Sequence, residues 1–333
     1  MYLLRGFCLM LTVLLALNVL ASLVAAAVWR SCESYAQHWT ATARARLIFA
    51  LRMFPPVSAL ICVSTLFLPA YLIYEPHVTA ESLGAKLAAP ALVSTLGIAL
   101  IIWRWLHTWK ATQRLTADWL SHATPIQLNH VSIPAYRLPH PFPLIAVVGT
   151  LRPRLFIANH VLDALSQAEL EAAFAHENGH LVAHDNFKRG LLHAYRDALT
   201  LLPYGRALDR VWAEASESAA DEYAARFHAE ATLDLASALV KIARLAPAGM
   251  RPTMPASASL LGGDAVGIAS RVHRLTQLAE ATAAGELQST MNWRPIAWAG
   301  LGMLIFTAVW LTTHYDILAI VHELSEYLVT ALG

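Results

Sequence analysis

The sequence predicts a mainly α-helical membrane protein with four transmembrane helices and an α+β domain inserted between the third and the fourth. The 333 residues are 57% hydrophobic and only 14% charged, with a mean hydropathy of +0.47. Soluble domains carry about 25% charged residues. Four stretches lack charged side chains, and each is close in length to the 20 or so residues that are needed to span a bilayer. They are residues 6–29, 53–74, 87–103 and 295–315.

The predicted fold class also rests on the long segment that separates the third apolar stretch from the fourth. It divides the chain into a membrane domain (1–110), an inserted domain (111–292), a fourth span (293–315) and a tail (316–333). Apolar residues recur in the tail at helical spacing. We expect a helix there, lying either on the outer membrane surface or packed against the spans.

The distribution of basic residues predicts the orientation, because loops rich in Lys and Arg stay in the cytoplasm. The loop 30–52 has four arginines, and the segment 104–294 holds most of the other basic residues. The loop 75–86 has two glutamates and one lysine, and the tail has no Lys or Arg. We therefore expect a multi-pass protein of a bacterial-type inner membrane, N-out and C-out, with the inserted domain cytoplasmic. A cleaved signal peptide at 6–29 is the alternative, but its apolar core is too long.

Strands are expected first in the inserted domain, over 131–138, 143–148 and 154–157. The edge of such a sheet either receives an extended peptide or only braces the following helix. That helix starts at a capping box, Ser166 to Glu169. Further helices are expected over 188–202, 207–228 and 268–284, with a loop over 246–266 that is rich in Pro and Gly.

A metal-binding pattern lies in the middle of the capped helix, where the sequence reads His176-Glu177-Asn178-Gly179-His180. Two histidines four residues apart share one helix face, so both imidazoles can reach one ion. Glu177 points about 100° away round the helix, as suits a carboxylate that activates water. His184 would lie about 12 Å from His176 along the axis, too far to share that ion.

A catalytic zinc site usually has a third protein ligand, and the best candidate is Glu217 on the third helix of the domain. Asp221, one turn later, can accept the free ring N–H of a ligand histidine. Glu214 is the alternative ligand, and a solvated acidic face is the alternative to any metal site. We expect one catalytic Zn²⁺.

In this hypothesis Glu177 is the general base for water attack on a peptide carbonyl. Arg271, His273 and Arg274 are candidate oxyanion donors, and a solvated basic face is the competing interpretation, which we favour. The net charge of +1 does not indicate direct nucleic-acid binding.

Together these motifs resemble the membrane-embedded BlaR/MecR-type zinc metallopeptidases, which act as antirepressors in signal transduction. The resemblance is carried by residues 151–157, by the His176 to His180 motif, by Asp185-Asn186, and by Glu217-x-x-Ala220-Asp221. It implies a zincin-like (gluzincin) domain between the third and fourth spans. It also implies that His176, His180 and Glu217 bind zinc, that Glu177 is catalytic, and that Asp185 and Asp221 support the site.

Three departures from that family pattern are visible. The penicillin-binding sensor domain of the best-known members is lacking after the fourth span, Asn178 replaces an apolar residue, and Ala183-His184 replaces a basic pair. We therefore expect a zinc endopeptidase that cuts a cytoplasmic protein, such as a transcriptional repressor, without β-lactam sensing. The expected partners are the lipid bilayer and that substrate, and the oligomeric state is left open. The alternatives are a CAAX-protease or heat-shock-type quality-control protease and a non-catalytic membrane scaffold.

Overall fold

A computed structural model describes residues 2–75, 84–128, 131–199, 204–227, 230–246, 258–260, 265–283 and 314–332. The chain is mostly helical with one small sheet. Three helical stretches are long and apolar enough to span a membrane: Tyr2–Ala36, Ala41–Tyr74 and Ala85–His122. They contain the first three predicted spans. The predicted fourth span, 295–315, lies almost entirely outside the described residues.

The membrane helices are longer than the predicted spans because each extends beyond the apolar stretch. Helix α1 (Tyr2–Ala36) and helix α2 (Ala41–Cys62) pack side by side. Helix α2 starts at the Thr40 cap and continues through a π-helical turn, Val63–Phe67, into α3 (Leu68–Tyr74). Helix α4 (Ala85–His122) has 38 residues. At 1.5 Å per residue it is about 57 Å long, which is enough to cross a bilayer and to extend well beyond it to the sheet.

A buried polar network joins α1 and α2 to residues that follow the sheet in the chain. The Asn18 amide on α1 donates to the Leu199 carbonyl at 2.6 Å and accepts from the Tyr195 hydroxyl at 2.7 Å. Arg52 on α2 donates to Asp209 at 2.9 Å, and its guanidinium lies 4.7 Å from the Tyr195 ring centroid. Buried polar groups are costly unless they are paired, so this network holds α1 and α2 against those residues in one arrangement.

The sheet has five described strands in the order β1-β2-β4-β3-β5. Strands β2 and β4 are parallel, and the other neighbours are antiparallel. Every residue of β3 is buried, because one face packs on α6 and the other on the domain core. The strand bounds are Thr124–Ile126 (β1), Ala135–Leu138 (β2), Ile145–Val148 (β3), Arg154–Ala158 (β4) and Ala258–Leu260 (β5).

Strand β5 corrects the prediction of a loop over 246–266. It pairs antiparallel with β3, from Ala146 opposite Leu260 to Val148 opposite Ala258. The proline and glycine content of this segment predicted a loop. The three-residue strand was not predicted, because its pairing depends on a partner far away in the sequence. The edge of β3 that faces away from β4 is consequently occupied by this chain's own backbone.

Most of the remaining helices correspond to predicted helices with shifted ends, whereas the helices at Asn159–Ala164 and Ala231–Leu245 were not predicted. The remaining helices are α5 (Asn159–Ala164), α6 (Gln167–Ala183), α7 (Asp185–Tyr195), α8 (Tyr204–Ala224), α9 (Ala231–Leu245), α10 (Ala265–Ala283) and α11 (Tyr315–Leu332). Helix α7 starts three residues earlier than predicted because His184 takes a left-handed conformation, with φ of 58°, and breaks the chain into two helices there. Helix α11 packs against α3, where Tyr74 donates to the Tyr315 carbonyl at 3.0 Å.

Helix α6 is held by the predicted capping box and by α9. The Ser166 hydroxyl accepts from the Glu169 N–H at 3.3 Å, and the Glu169 carboxylate accepts from the Ser166 N–H at 2.7 Å. The same carboxylate accepts from Ser237 at 2.6 Å and Lys241 at 2.8 Å. Burial alone would raise the pKa of Glu169, but these donors outweigh it and lower the pKa.

Replacing Glu169 with Gln should lower the free energy of unfolding by about 1–3 kcal/mol, because a buried charged acceptor with several donors is lost. The lowered pKa means that this stability is present above the unfolded-state value, about 4.3, and is lost as the pH falls through the folded-state value. The difference in the free energy of unfolding between variant and wild type should therefore become smaller under acid conditions. Thermal unfolding in detergent from pH 7 to pH 3 measures it. Glu171→Gln, on the same helix but partly exposed, is the control, and an equal effect there would contradict the interpretation.

Candidate metal centre

Helices α6 and α8 lie close enough to bring three metal-binding side chains together. His176 and His180 are on the buried face of α6, and Glu217 faces them from α8. One ligand atom from each residue lies within 4.8 Å of the others. Gly179 allows this approach, because a Cβ there would meet the Ala220 Cα and the Tyr223 Cβ at 3.1 Å.

The distances between these atoms suit one zinc ion. Nε2 of His176 lies 3.7 Å from Oε2 of Glu217, and Nε2 of His180 lies 3.6 Å from Oε1. Two ligands of a tetrahedral ion with bonds near 2.1 Å are about 3.4 Å apart. Nε2 of His180 is buried and has no hydrogen-bond partner among the described residues. Two imidazole nitrogens and one carboxylate oxygen are also the donor set of many catalytic zinc sites, so these residues fit the ion.

Each histidine is oriented by its own carboxylate. Nδ1 of His176 lies 2.9 Å from Asp221, and Nδ1 of His180 lies 2.8 Å from Asp185. Because a carboxylate accepts the Nδ1 proton, Nε2 is left as the free lone pair of each ring. The structure therefore brings Asp221 and Asp185 to the positions that the sequence suggested for supporting residues.

Asp185 reaches His180 because of the left-handed residue between α6 and α7. His184 ends α6 and is exposed, and its ring lies 3.0 Å from the Val182 carbonyl instead of facing the site. The prediction that His184 is not a ligand agrees with this position. Asp185 follows it directly and also accepts from the Ser216 hydroxyl of α8 at 2.7 Å. No pattern in the sequence indicated Ser216.

Helix α10 adds two arginines to the site. Arg271 donates to Asp221 at 2.7 Å and lies 3.2 Å from Glu217, while Arg274 donates to the other oxygen of Asp221 at 2.8 Å. Arg271 is 8% exposed, so the prediction of a solvated basic face was wrong for this residue. Its two terminal guanidinium nitrogens contact the Glu217 and Asp221 carboxylates, which makes it a positioning residue. His273, between them, points instead to Gln277.

The predicted alternative ligand, Glu214, lies outside this cluster. It is exposed on α8, one turn before Glu217. The spacing of Arg271 and Arg274, three residues apart on one helix, was a signal that could have indicated a shared acidic partner. Only the fold shows that this partner is Asp221.

The charges of the site keep its carboxylates ionised. Burial would raise the pKa of Asp221, but Arg271 and His176 outweigh it and hold that pKa well below its usual range. The pKa of Glu217 is lowered in the same way, mainly by His180 and Arg271 against the effect of burial. Burial lowers the pKa of His176, which favours the neutral, metal-binding ring. Burial would also lower the pKa of His180, but the neighbouring Glu217 and Asp185 carboxylates outweigh it and raise that pKa instead. The carboxylates of the site thus favour a positive charge beside them, either a proton on His180 or a metal cation.

Glu177 lies apart from these ion pairs. Its side chain is 2% exposed, and both carboxylate oxygens are buried without a hydrogen-bond partner among the described residues. It borders a small, mainly apolar cavity between α6 and the sheet, lined by Ile133, Val147 and Phe174 among others. Burial raises the pKa of Glu177 to about 7. An unpaired carboxylate with that pKa can both accept and release a proton near neutral pH.

Comparison with known proteins adds no family: no protein family model matches the chain, and no curated protein matches it. The site is therefore interpreted from its own geometry.

The purified protein should contain one zinc ion per chain, and Glu217→Ala should reduce the zinc content well below one. The reason is that the substitution leaves only two of the three ligand atoms. Metal analysis of protein purified in detergent measures this. Glu214→Ala removes an exposed carboxylate from the same helix and should leave the zinc content unchanged. Equal zinc in the Glu217 and Glu214 variants would rule out the proposed ligand set.

Replacing Asp185 with Ala should weaken zinc binding by roughly 10–100-fold, the usual cost of losing a carboxylate that orients a ligand histidine. Asp185→Asn keeps an acceptor oxygen for His180 and should lose less. Competition with a fluorescent zinc chelator gives the affinities. Asp163→Ala, at an exposed position on α5, is the control, and an unchanged affinity in Asp185→Ala would contradict the orienting role.

Proposed function

We propose that this protein is a membrane-bound zinc metalloendopeptidase that hydrolyses peptide bonds of a cytoplasmic protein. The observation that carries the proposal is the convergence of His176, His180 and Glu217, with the buried, unpaired carboxylate of Glu177 on the same helix as both histidines. A structural zinc site closes its coordination with four protein ligands, whereas a catalytic site keeps one position open. Among the residues that the structure describes, three candidate ligands converge, and this number favours the catalytic type.

In this mechanism His176, His180 and Glu217 hold the ion. Zinc, when bound, acts as a Lewis acid towards a peptide carbonyl and lowers the pKa of water to about 7. Glu177 accepts a proton from the attacking water and later delivers it to the leaving amine. The apolar cavity beside Glu177 keeps bulk water away from that carboxylate. Asp221 and Asp185 keep both imidazoles in the tautomer that binds metal.

The membrane arrangement belongs to the same proposal. Four spans, N-out and C-out in a bacterial-type inner membrane, would place a zincin-like domain (111–292) on the cytoplasmic side. The polar network between Asn18, Tyr195 and Arg52 supports a domain held against the bilayer surface. With the BlaR/MecR resemblance, this favours a regulatory antirepressor protease whose substrate is a repressor or a similar soluble protein.

Glu177→Gln should decrease peptide-bond cleavage by roughly 10²–10⁴-fold, the usual contribution of a general acid–base residue, while the zinc content stays at wild-type level. Mass spectrometry of new protein termini, in cells producing wild type or variant, measures cleavage whichever protein is the substrate. Glu214→Gln is the matched control and should cleave normally.

The same experiment distinguishes the other candidate functions. A regulatory protease should produce one or a few new termini in one soluble protein, whereas a quality-control protease should produce many in unfolded membrane proteins. Identical termini in wild type and Glu177→Gln, with zinc bound in both, would refute the proposed peptidase and leave the metal a structural role in a scaffold.

A further inference from the structure

A second cleft lies next to the metal centre but contains none of the proposed ligands. Its volume is about 380 Å³, and it opens between α2, α6, α7 and α8. Gly179 and Ala220 form part of its floor, at the point where α6 and α8 approach most closely. The role of Glu177 does not involve this cleft.

The described side chains that line the cleft are unbalanced in charge. Three are basic, Arg46 from α2, Lys188 from α7 and Arg226 after the end of α8, and one is acidic, Asp185. Asp185 is already engaged with His180 and Ser216. Asp185 also lies 3.5 Å from Lys188, so the one carboxylate of the lining balances one of the three cations and leaves an excess of positive charge.

The two arginines are available to a ligand. Both are exposed, and neither makes an ion pair within 4 Å with the part of the chain that the structure describes. Two arginine side chains can bind the oxygens of one phosphate group in the two-pronged geometry that guanidinium favours. Tyr223 also lines the cleft. Its hydroxyl accepts from the Asn178 amide at 3.1 Å, which leaves its own proton to donate.

Lys188 is the third cation and the most enclosed. Its ammonium lies 3.5 Å from Asp185 and 5.5 Å from the Phe49 ring centroid. Burial lowers the pKa of Lys188, and the neighbouring Arg46 acts in the same direction while Asp185 opposes both. An anion in the cleft would offset the repulsion between Arg46 and Lys188.

We propose that this cleft binds an anion of the phosphate class, either free phosphate or the headgroup of an anionic lipid. The proposal does not depend on peptidase activity. Arg46 lies seven residues before the predicted start of the second span at 53, about 10 Å along the helix. This distance puts the cleft within reach of lipid headgroups. Through Lys188 and Asp185 the bound anion would be linked to His180, so its presence can influence the metal centre.

Two matched series test the proposal with the full-length, zinc-loaded protein in lipid nanodiscs. In the first, inorganic phosphate is titrated against chloride at constant ionic strength in nanodiscs of phosphatidylcholine. In the second, phosphate is absent, and nanodiscs that contain phosphatidylglycerol are compared with nanodiscs of phosphatidylcholine. The thermal unfolding midpoint is the readout, because a ligand that binds the folded state raises it.

Phosphate or phosphatidylglycerol should raise the midpoint of the wild type. In the double variant Arg46→Gln with Arg226→Gln, the half-saturating concentration should increase at least tenfold. Arg210→Gln, at an exposed position on α8, removes one charge outside the cleft and should behave as wild type. The two arginines are exposed, so the unliganded midpoint and the zinc content of the double variant should match the wild type. If that variant does not fold, each single variant is compared in the same way.

If phosphate raises the unfolding midpoint of the wild type but not of the arginine variants, the ligand is the free anion. If only phosphatidylglycerol raises the midpoint, and the arginine variants lose this effect, the ligand is a lipid headgroup. The proposal is overturned if neither ligand shifts the midpoint. It is also overturned if the arginine variants respond as strongly as wild type, because phosphate would then bind elsewhere, for example at the metal.

Discussion

The close contact between α6 and α8 is the constraint on which the site depends. Gly179 permits it, since any larger side chain there would push against Ala220 and Tyr223. Across this contact α8 supplies Glu217 to both histidines, Asp221 to His176, and Ser216 to the aspartate that orients His180. A shift of about 1 Å between the two helices would break these distances together, because hydrogen bonds tolerate only a few tenths of an ångström.

Such a dense set of buried charges is stable only when each charge is compensated. Asp221 is 1% exposed and would be costly to bury alone. Its two oxygens receive one arginine each from α10, and Arg271 also contacts Glu217. Helix α10 is therefore part of the site even though it carries none of the three ligands. Helix α10 follows β5 in the chain, and β5 pairs with β3. These two later elements therefore pack against strands and helices that come earlier in the chain.

The membrane helices take part in this arrangement through α2 and α8. Arg52 binds Asp209 near the start of α8, and the Glu222 carboxylate near its end accepts from the Ala41 N–H at the start of α2. The helix that supplies Glu217 is consequently held at both ends by a helix that belongs to one of the three candidate membrane spans. The cleft lined by Arg46, Lys188 and Arg226 lies along the same α2–α8 contact. This contact therefore joins a candidate span directly to the candidate metal centre.

Local sequence was sufficient to predict the features that depend on near neighbours in the chain. Hydropathy predicted four spans, and the structure matches the first three of them with long apolar helices, while the fourth lies almost entirely outside the described residues. The i, i+4 spacing placed His176 and His180 on one face. The capping box at Ser166 and the exclusion of His184 also follow from helix geometry alone. The choice of Glu217 over Glu214 came from the resemblance and from the spacing to Asp221.

Features that join distant parts of the chain emerge only from the packed fold. These are the contact of Arg271 with Asp221, the pairing of strand β5 with β3, and the cleft that is lined by Arg46, Lys188 and Arg226. The physical reason is the same for each. A contact between residues that are far apart in the sequence depends on how helices and strands pack together. The local spacing of residues does not predict that packing.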